Sequence, residues 1–459
     1  MDFTVWTLVT DLGLMCALLL LGQVLRAKVR ILQRMFLPAS IIAGLLGLLF
    51  GPNGLELIPF SDSIGSYPGV LIVLIMVAVP LGHPIAFRRV ANRVGALYSY
   101  SQAGQVMQWG LGLLLGLAIL VPIFNVHDGF GLMLGAGWAG GFGTAAAVGA
   151  TFEQEGWSEA ASLGYTSATI GVLVCIVGGL IVTKIASRTG RTDTLARFDE
   201  LPDEMRTGVL PEQERPAIGR ATLSSSSLDS LTLHLGLVLL AVLGAYYVGE
   251  LQKDLFPDFT VPLLAFGFLA GLLLQVLLGL SRTTRYVDRD TVNSLSGSFA
   301  DLLIAFGIAS IVPRVVADYA VPLALLMLFG LAYCVAMLWF LTPLMFREQW
   351  FARGIFTWGW LTGSVATGVA LLRIVDPKRR STTLEDFGLA YIAIVPVEII
   401  LISFSPMIVT NGYGWVLVAA TVAFGVLTLL AARKVGWWAA RRAEQEGTEP
   451  APASVEARP

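Results

Sequence analysis

Apolar stretches long enough to cross a bilayer recur along nearly the whole chain, and that pattern fixes the class of fold. A helix of about twenty apolar residues spans the hydrocarbon layer. Within lipid, backbone N–H and C=O groups must find partners inside the protein. Eleven spans are expected, at roughly 4–25, 36–50, 67–82, 95–123, 160–183, 229–250, 260–280, 293–313, 320–346, 386–408 and 412–432. Charged residues make up only 14% of the chain and hydrophobic residues 56%, against about 25% charged in an ordinary soluble domain. The expected class is an all-α polytopic membrane protein. Segment 4–25 carries no basic residues ahead of it, so it reads as a span rather than a cleaved signal peptide.

Basic residues give the orientation. Of the 30 lysines and arginines, all but Lys253 and Arg314 fall on one face when the chain is threaded through these spans. The excess of positive charge marks the cytoplasmic side, which places the N-terminus outside and the C-terminus in the cytoplasm. A polar stretch over 186–228, with Pro202, Pro211, Pro216 and serines from Ser224 to Ser227, reads as a cytoplasmic linker. It separates a first unit, 1–185, from a second, 229–408. Each unit has five spans, an odd number, so the second starts on the opposite side and the two are inverted. An extra helix (409–442) and a disordered cytoplasmic tail (443–459) follow.

Two Gly-rich segments, 130–152 and 354–374, are left over and sit at matching places in the halves. The first contains Gly140-Gly141-Phe142-Gly143-Thr144, the second Thr362-Gly363-Ser364-Val365-Ala366-Thr367. An offset of 220 lays Gly143-Thr144 on Gly363-Ser364, and an offset of 224 lays Pro38 on Pro262 and Gly47 on Gly271. Glycine weakens a helix and allows close backbone approach. Paired interruptions of this kind point to a transporter's binding site near the midplane. Both segments are expected to be re-entrant loops or broken helices, dipping in from opposite faces.

Gly140 to Thr144 resembles the Gly-Gly-x-Gly-Thr motif of the bacterial sodium/glutamate symporter family. The resemblance continues through Ala168-Thr169-Ile170-Gly171, Pro80-Leu81-Gly82, Gly363 to Ala370 and Val395-Pro396. It implies two inverted five-helix repeats with re-entrant loops, a homodimer in the bacterial inner membrane, and sodium-driven glutamate uptake by an elevator-like movement. It also draws Thr169 into the candidate site. The sequence departs from the family where Phe142 replaces the usual histidine, where Trp358, Trp360 and Leu361 stand in the second loop, and in the extra C-terminal span.

A dicarboxylate amino acid needs donors for its carboxylates and an acceptor for its ammonium. Backbone amides at Gly141, Gly143, Thr144, Gly363 and Ser364 would supply donors, helped by the hydroxyls of Thr144, Thr362, Ser364 and Thr367. Sodium takes oxygen ligands; Thr144, Ser364 and Glu398 are its candidates, with the ammonium the alternative ligand for Glu398. The bland alternative is that the small residues pack helices and the hydroxyls bond to their own turns. Asp11 and Asp301 read more readily as structural or interfacial carboxylates, and Arg373 as a residue reaching back to the cytoplasmic face. Gln102, Gln105 and Gln108 form one stripe that faces a polar interior or a neighbouring helix. Trp138 and Trp360 are possible walls of the site.

The expected function is sodium-coupled symport of glutamate or a related carboxylate; transport of another organic anion, with protons taken up through Glu398, is the alternative within the class. An intramembrane enzyme is disfavoured, since the chain has no His-Glu-x-x-His and no paired intramembrane aspartates. Net charge of −2 gives no nucleic-acid footprint, and no cofactor is expected.

Overall fold

The computed structural model describes residues 4–81, 91–189, 203–255, 261–346, 349–376 and 381–438. The expected tail and residues 190–202 of the expected linker lie outside them. Among the described residues there are helices and turns and no strands. The main helices are α1 (Val5–Lys28), α2 (Ala39–Phe50), α3 (Tyr67–Ala78), α4 (Ala91–Leu115), α5 (Leu132–Gly137), α6 (Gly141–Gln154), α7 (Ala160–Leu173), α8 (Ser230–Leu255), α9 (Leu263–Leu280), α10 (Arg289–Ala309), α11 (Ala320–Ala336), α12 (Trp350–Thr362), α13 (Val365–Val375), α14 (Thr383–Thr410) and α15 (Gly414–Val435). Through single π-helical turns, α4 continues to Phe124, α7 to Arg188 and α11 to Met345.

Nine helices among the described residues are long and apolar enough to cross a membrane. The expected spans at 36–50 and 67–82 are instead represented by α2 and α3, of 12 residues each. Pro38 starts α2, and Gly51 followed by Pro52 stops it. The outer faces of α8 and α9 are apolar, with Leu240, Leu243, Leu273 and Leu277 exposed, as lipid requires.

The order of elements recurs along the chain. Pro38 precedes α2 and Pro262 precedes α9. Both α4 and α11 run into a π turn, Gly116–Leu120 and Met337–Leu341, with Pro122 and Pro343 shortly after. A helix, a break and a second helix come next in each half, and a long helix closes it.

The helices pack as two groups. α1, α2, α3, α8, α9 and α10 contact one another, with α10 lying against both α2 and α3. α4, α5, α6, α7, α12, α13, α14 and α15 form the other, in which α4 is covered by α15, α14 and α5. Gly110 of α4 meets Thr421 of α15, and Gly425 meets Met107, so close that neither glycine has room for a Cβ. This is the small-residue packing that lets helices approach in lipid. The described part of the linker is held to the first group. Gln23 Nε2 donates to Thr207 O (3.3 Å), Ser294 Oγ to Ile218 O (2.8 Å), and Arg220 N–H to Asp288 Oδ2 (3.0 Å). Burial favours the neutral Asp288 carboxyl, but the bonds from the Thr291 hydroxyl and N–H and from the Arg220 N–H, with nearby His234, outweigh it and keep the group below its ordinary pKa.

Asp11, 1% exposed in α1, has the structural role expected of it. Its carboxylate accepts from Ser61 N (3.0 Å), Ser61 Oγ (2.5 Å) and Tyr67 Oη (2.7 Å), which ties α1 to the start of α3. Asp11→Ala strands these donors and is expected to cost about 2–4 kcal/mol, read as a lower melting temperature in detergent; Asp11→Asn, which keeps an acceptor, should lose less.

Candidate functional site

Both Gly-rich segments are helix–break–helix units. In the first, Trp138, Ala139 and Gly140 separate α5 from α6, and Gly141 opens α6 at φ +67. That is the left-handed region, where a side chain brings strain. In the second, Gly363 (φ −149, ψ −85) and Ser364 (φ −160, ψ 166) separate α12 from α13. The two breaks meet: a Cβ on Gly141 would lie 3.3 Å from the carbonyl oxygen of Gly363.

One side chain holds them together. Gln108 of α4 is 0% exposed. Its Oε1 accepts from the Ala139 N–H (3.2 Å), inside the first break, and its Nε2 donates to Leu361 O (3.2 Å), one turn before the second. A carboxamide suits this position because it offers one acceptor and two donors. Of the glutamine stripe, Gln108 is the member that bonds to neighbouring helices.

The breaks differ in how they treat their exposed amides. The α13 N-terminus is self-capped. Ser364 Oγ accepts from Thr367 N (3.3 Å) and Thr367 Oγ1 accepts from Ser364 N (2.9 Å), a reciprocal capping box. No side chain caps α6, whose N-cap residue is Gly140. The first N–H groups of α6 are therefore the ones open to a ligand, and the Thr144 hydroxyl beside them has no hydrogen-bond partner among the described residues.

A cavity of about 340 Å³ lies between the two helix groups. Gly140, Gly141, Gly143, Thr144, Gly363, Ser364, Thr367 and Glu398 line it, together with Phe142, Trp360 and Tyr391. Ile41, Ile72, Ile75, Met76, Leu303 and Ile304 form the facing wall from α2, α3 and α10. Mostly apolar walls with a few converging polar groups are the usual form of a small-molecule site. Glu398 accepts a hydrogen bond from Tyr391 Oη (3.3 Å), seven residues earlier on α14. Among the described residues the lining contains no Lys, Arg or His.

Two sequence candidates do not line this cavity. Thr169 Oγ1 donates back to Tyr165 O (2.8 Å) and Thr362 Oγ1 to Trp358 O (2.7 Å), each a bond within its own helix. Trp138 is buried with its indole N–H on Met327 Sδ, while Trp360 does wall the cavity. Asp301 is exposed near Ser40 and is not part of the lining. Arg373 lines a second cavity with Arg26 and Glu204, which touches the first at Pro38 and Thr367. The sequence reading missed Tyr391, whose signal was its i, i+7 spacing from Glu398, and the walls supplied by α2, α3 and α10, which only tertiary packing brings near.

The family model of the sodium/glutamate symporters matches residues 5–352. The chain belongs to that family. Membership makes it a transporter and not an enzyme, and implies sodium as the coupling ion. Nothing among the curated proteins matches it. The matched stretch contains the first break and Gln108; the second break, Tyr391 and Glu398 lie beyond it, and are joined to the first break by the contacts above.

Gly141→Val is expected to lower uptake by about 100-fold while the protein still inserts and elutes as wild type. Wild-type uptake in this variant would mean that Gly141 only packs helices. Gln108→Leu leaves the Ala139 N–H and Leu361 C=O unpaired, and is expected to lower stability by about 2–4 kcal/mol in thermal unfolding.

Proposed function

We propose that the chain is a sodium-coupled symporter of glutamate or a related carboxylate. The observation that carries this reading is the charge of the central cavity. Among the described residues it holds one acidic side chain, Glu398, and no basic one. Glutamate brings a further net negative charge, and two like charges in a water-poor site repel strongly. Sodium neutralises the pair, so substrate and ion raise each other's affinity by the same factor. The uncapped amides of α6 and the Thr144 hydroxyl receive a carboxylate. The Glu398 carboxylate takes the cation or the substrate's ammonium, with Thr144 and Ser364 as further oxygen ligands for sodium.

Movement follows the elevator scheme, with the group that holds both breaks sliding past the group of α2, α3 and α10. The cavity between them supports this, because substrate bound there is released when the walls part. The recurrent order of elements supports two inverted repeats, 1–185 and 229–408, joined by the linker 186–228, with re-entrant segments 130–152 and 354–374. The extra segment 409–442, whose described helix is Gly414–Val435, is an addition to that core. The chain acts as a homodimer in the bacterial inner membrane, N-terminus outside and C-terminus in the cytoplasm.

In proteoliposomes, glutamate uptake should require an inward sodium gradient, and Glu398→Gln should abolish the sodium requirement or uptake itself. Uptake indifferent to sodium but driven by a proton gradient would instead favour the alternative, an organic-anion transporter that takes protons on Glu398.

A further inference from the structure

Behind the cavity, α4, which packs on α14, carries two more buried glutamines. Gln102 and Gln105 are both 0% exposed, and neither amide atom of either residue has a hydrogen-bond partner among the described residues. They stand one helical turn apart and so share a face. Gln105 interacts with the Glu398 carboxylate at longer range than an ordinary hydrogen bond, and α4 and α14 pack directly on each other. Buried carboxamides are costly when unpaired, and native proteins satisfy them with protein groups, water or an ion. Four unpaired amide atoms on one helix face, next to a carboxylate, point to a bound species.

We propose that Gln102, Gln105 and Glu398 form a sodium site between α4 and α14, set back from the substrate cavity. This rests on the sodium-coupled reading and moves the ion off the cavity oxygens of Thr144 and Ser364 onto these amides, with Glu398 common to both arrangements. A hard cation takes oxygen ligands, and each glutamine carbonyl offers one. The amide N–H₂ groups are then free to donate to the carboxylate. One carboxylate with neutral oxygens balances a single positive charge; a divalent ion calls for more acidic ligands. Glu398 belongs to both the cavity and this site, so an ion here acts directly on the charge that faces the substrate. Gln105 and Gln102 are positioning residues for transport, since they touch the ion and not the glutamate.

The test uses the purified full chain in detergent without glutamate. Its melting temperature is followed from low to high NaCl, with choline chloride holding ionic strength constant. Wild type should show a saturable rise. Gln105→Leu should move the half-saturating sodium concentration up by about tenfold or more, or remove the response. It should also melt in choline at or above the wild-type temperature, because an apolar side chain replaces unpaired polar atoms; a merely structural glutamine would lose stability in both salts. A wild-type sodium midpoint in Gln105→Leu overturns the site and leaves sodium coupling standing, with water alone between the glutamines. A wild type with no sodium response overturns the coupling reading and the site with it. Should Gln105→Leu fail to fold, Gln105→Met and Gln102→Leu take the same measurement with the same two outcomes.

Discussion

The site depends on a single buried carboxamide. Gln108 is bonded at one end to the backbone of the first break and at the other to the last turn before the second. A break in a membrane helix leaves backbone groups that lipid cannot satisfy. Here one N–H and one C=O, from opposite halves of the chain, are answered by the same side chain. The two interrupted helices are thereby fixed relative to each other, and the glycines between them line the central cavity. Gly141, in a conformation that a larger residue adopts only with strain, lies against Gly363 for the same reason.

The two breaks are alike in sequence but not in chemistry. Ser364 and Thr367 spend their hydroxyls on each other's backbone, so α13 arrives already capped. Gly140 can offer nothing of the kind, and α6 keeps its first amides open. Two segments that share a sequence pattern thus differ: one closes its own helix end and the other presents it. With Glu398 the one acid among the described lining residues, donors and acceptor sit on different helices around one space.

Much of this was legible in the residues. Apolar run length gave the long helices, and the matched glycines located both interruptions to within a few positions. Pro38 and Pro262 marked true helix starts. Less legible was which hydroxyls face the cavity. Thr169 and Thr362 look like ligands by composition, yet each bonds to the carbonyl one turn back, a choice set by helix rotation that sequence does not encode locally. The lengths of α2 and α3 were overestimated because turn residues flank apolar runs that hydropathy alone extends. Gln108 was visible as one of three equivalent glutamines. Only the packing of α4 against both breaks distinguishes it from Gln102 and Gln105, which find no such partners.

The final helix, α15, packs on α4 through Gly110 and Gly425, and α4 is the helix that carries Gln108. The opposite end of the polypeptide, α1, belongs to the facing group, where Asp11 anchors it to Ser61 and Tyr67. The first and last described helices, α1 and α15, therefore belong to different groups. In the proposed sliding of one group past the other, the distance between those two helices would change, so a label on each would act as a ruler for the transport cycle.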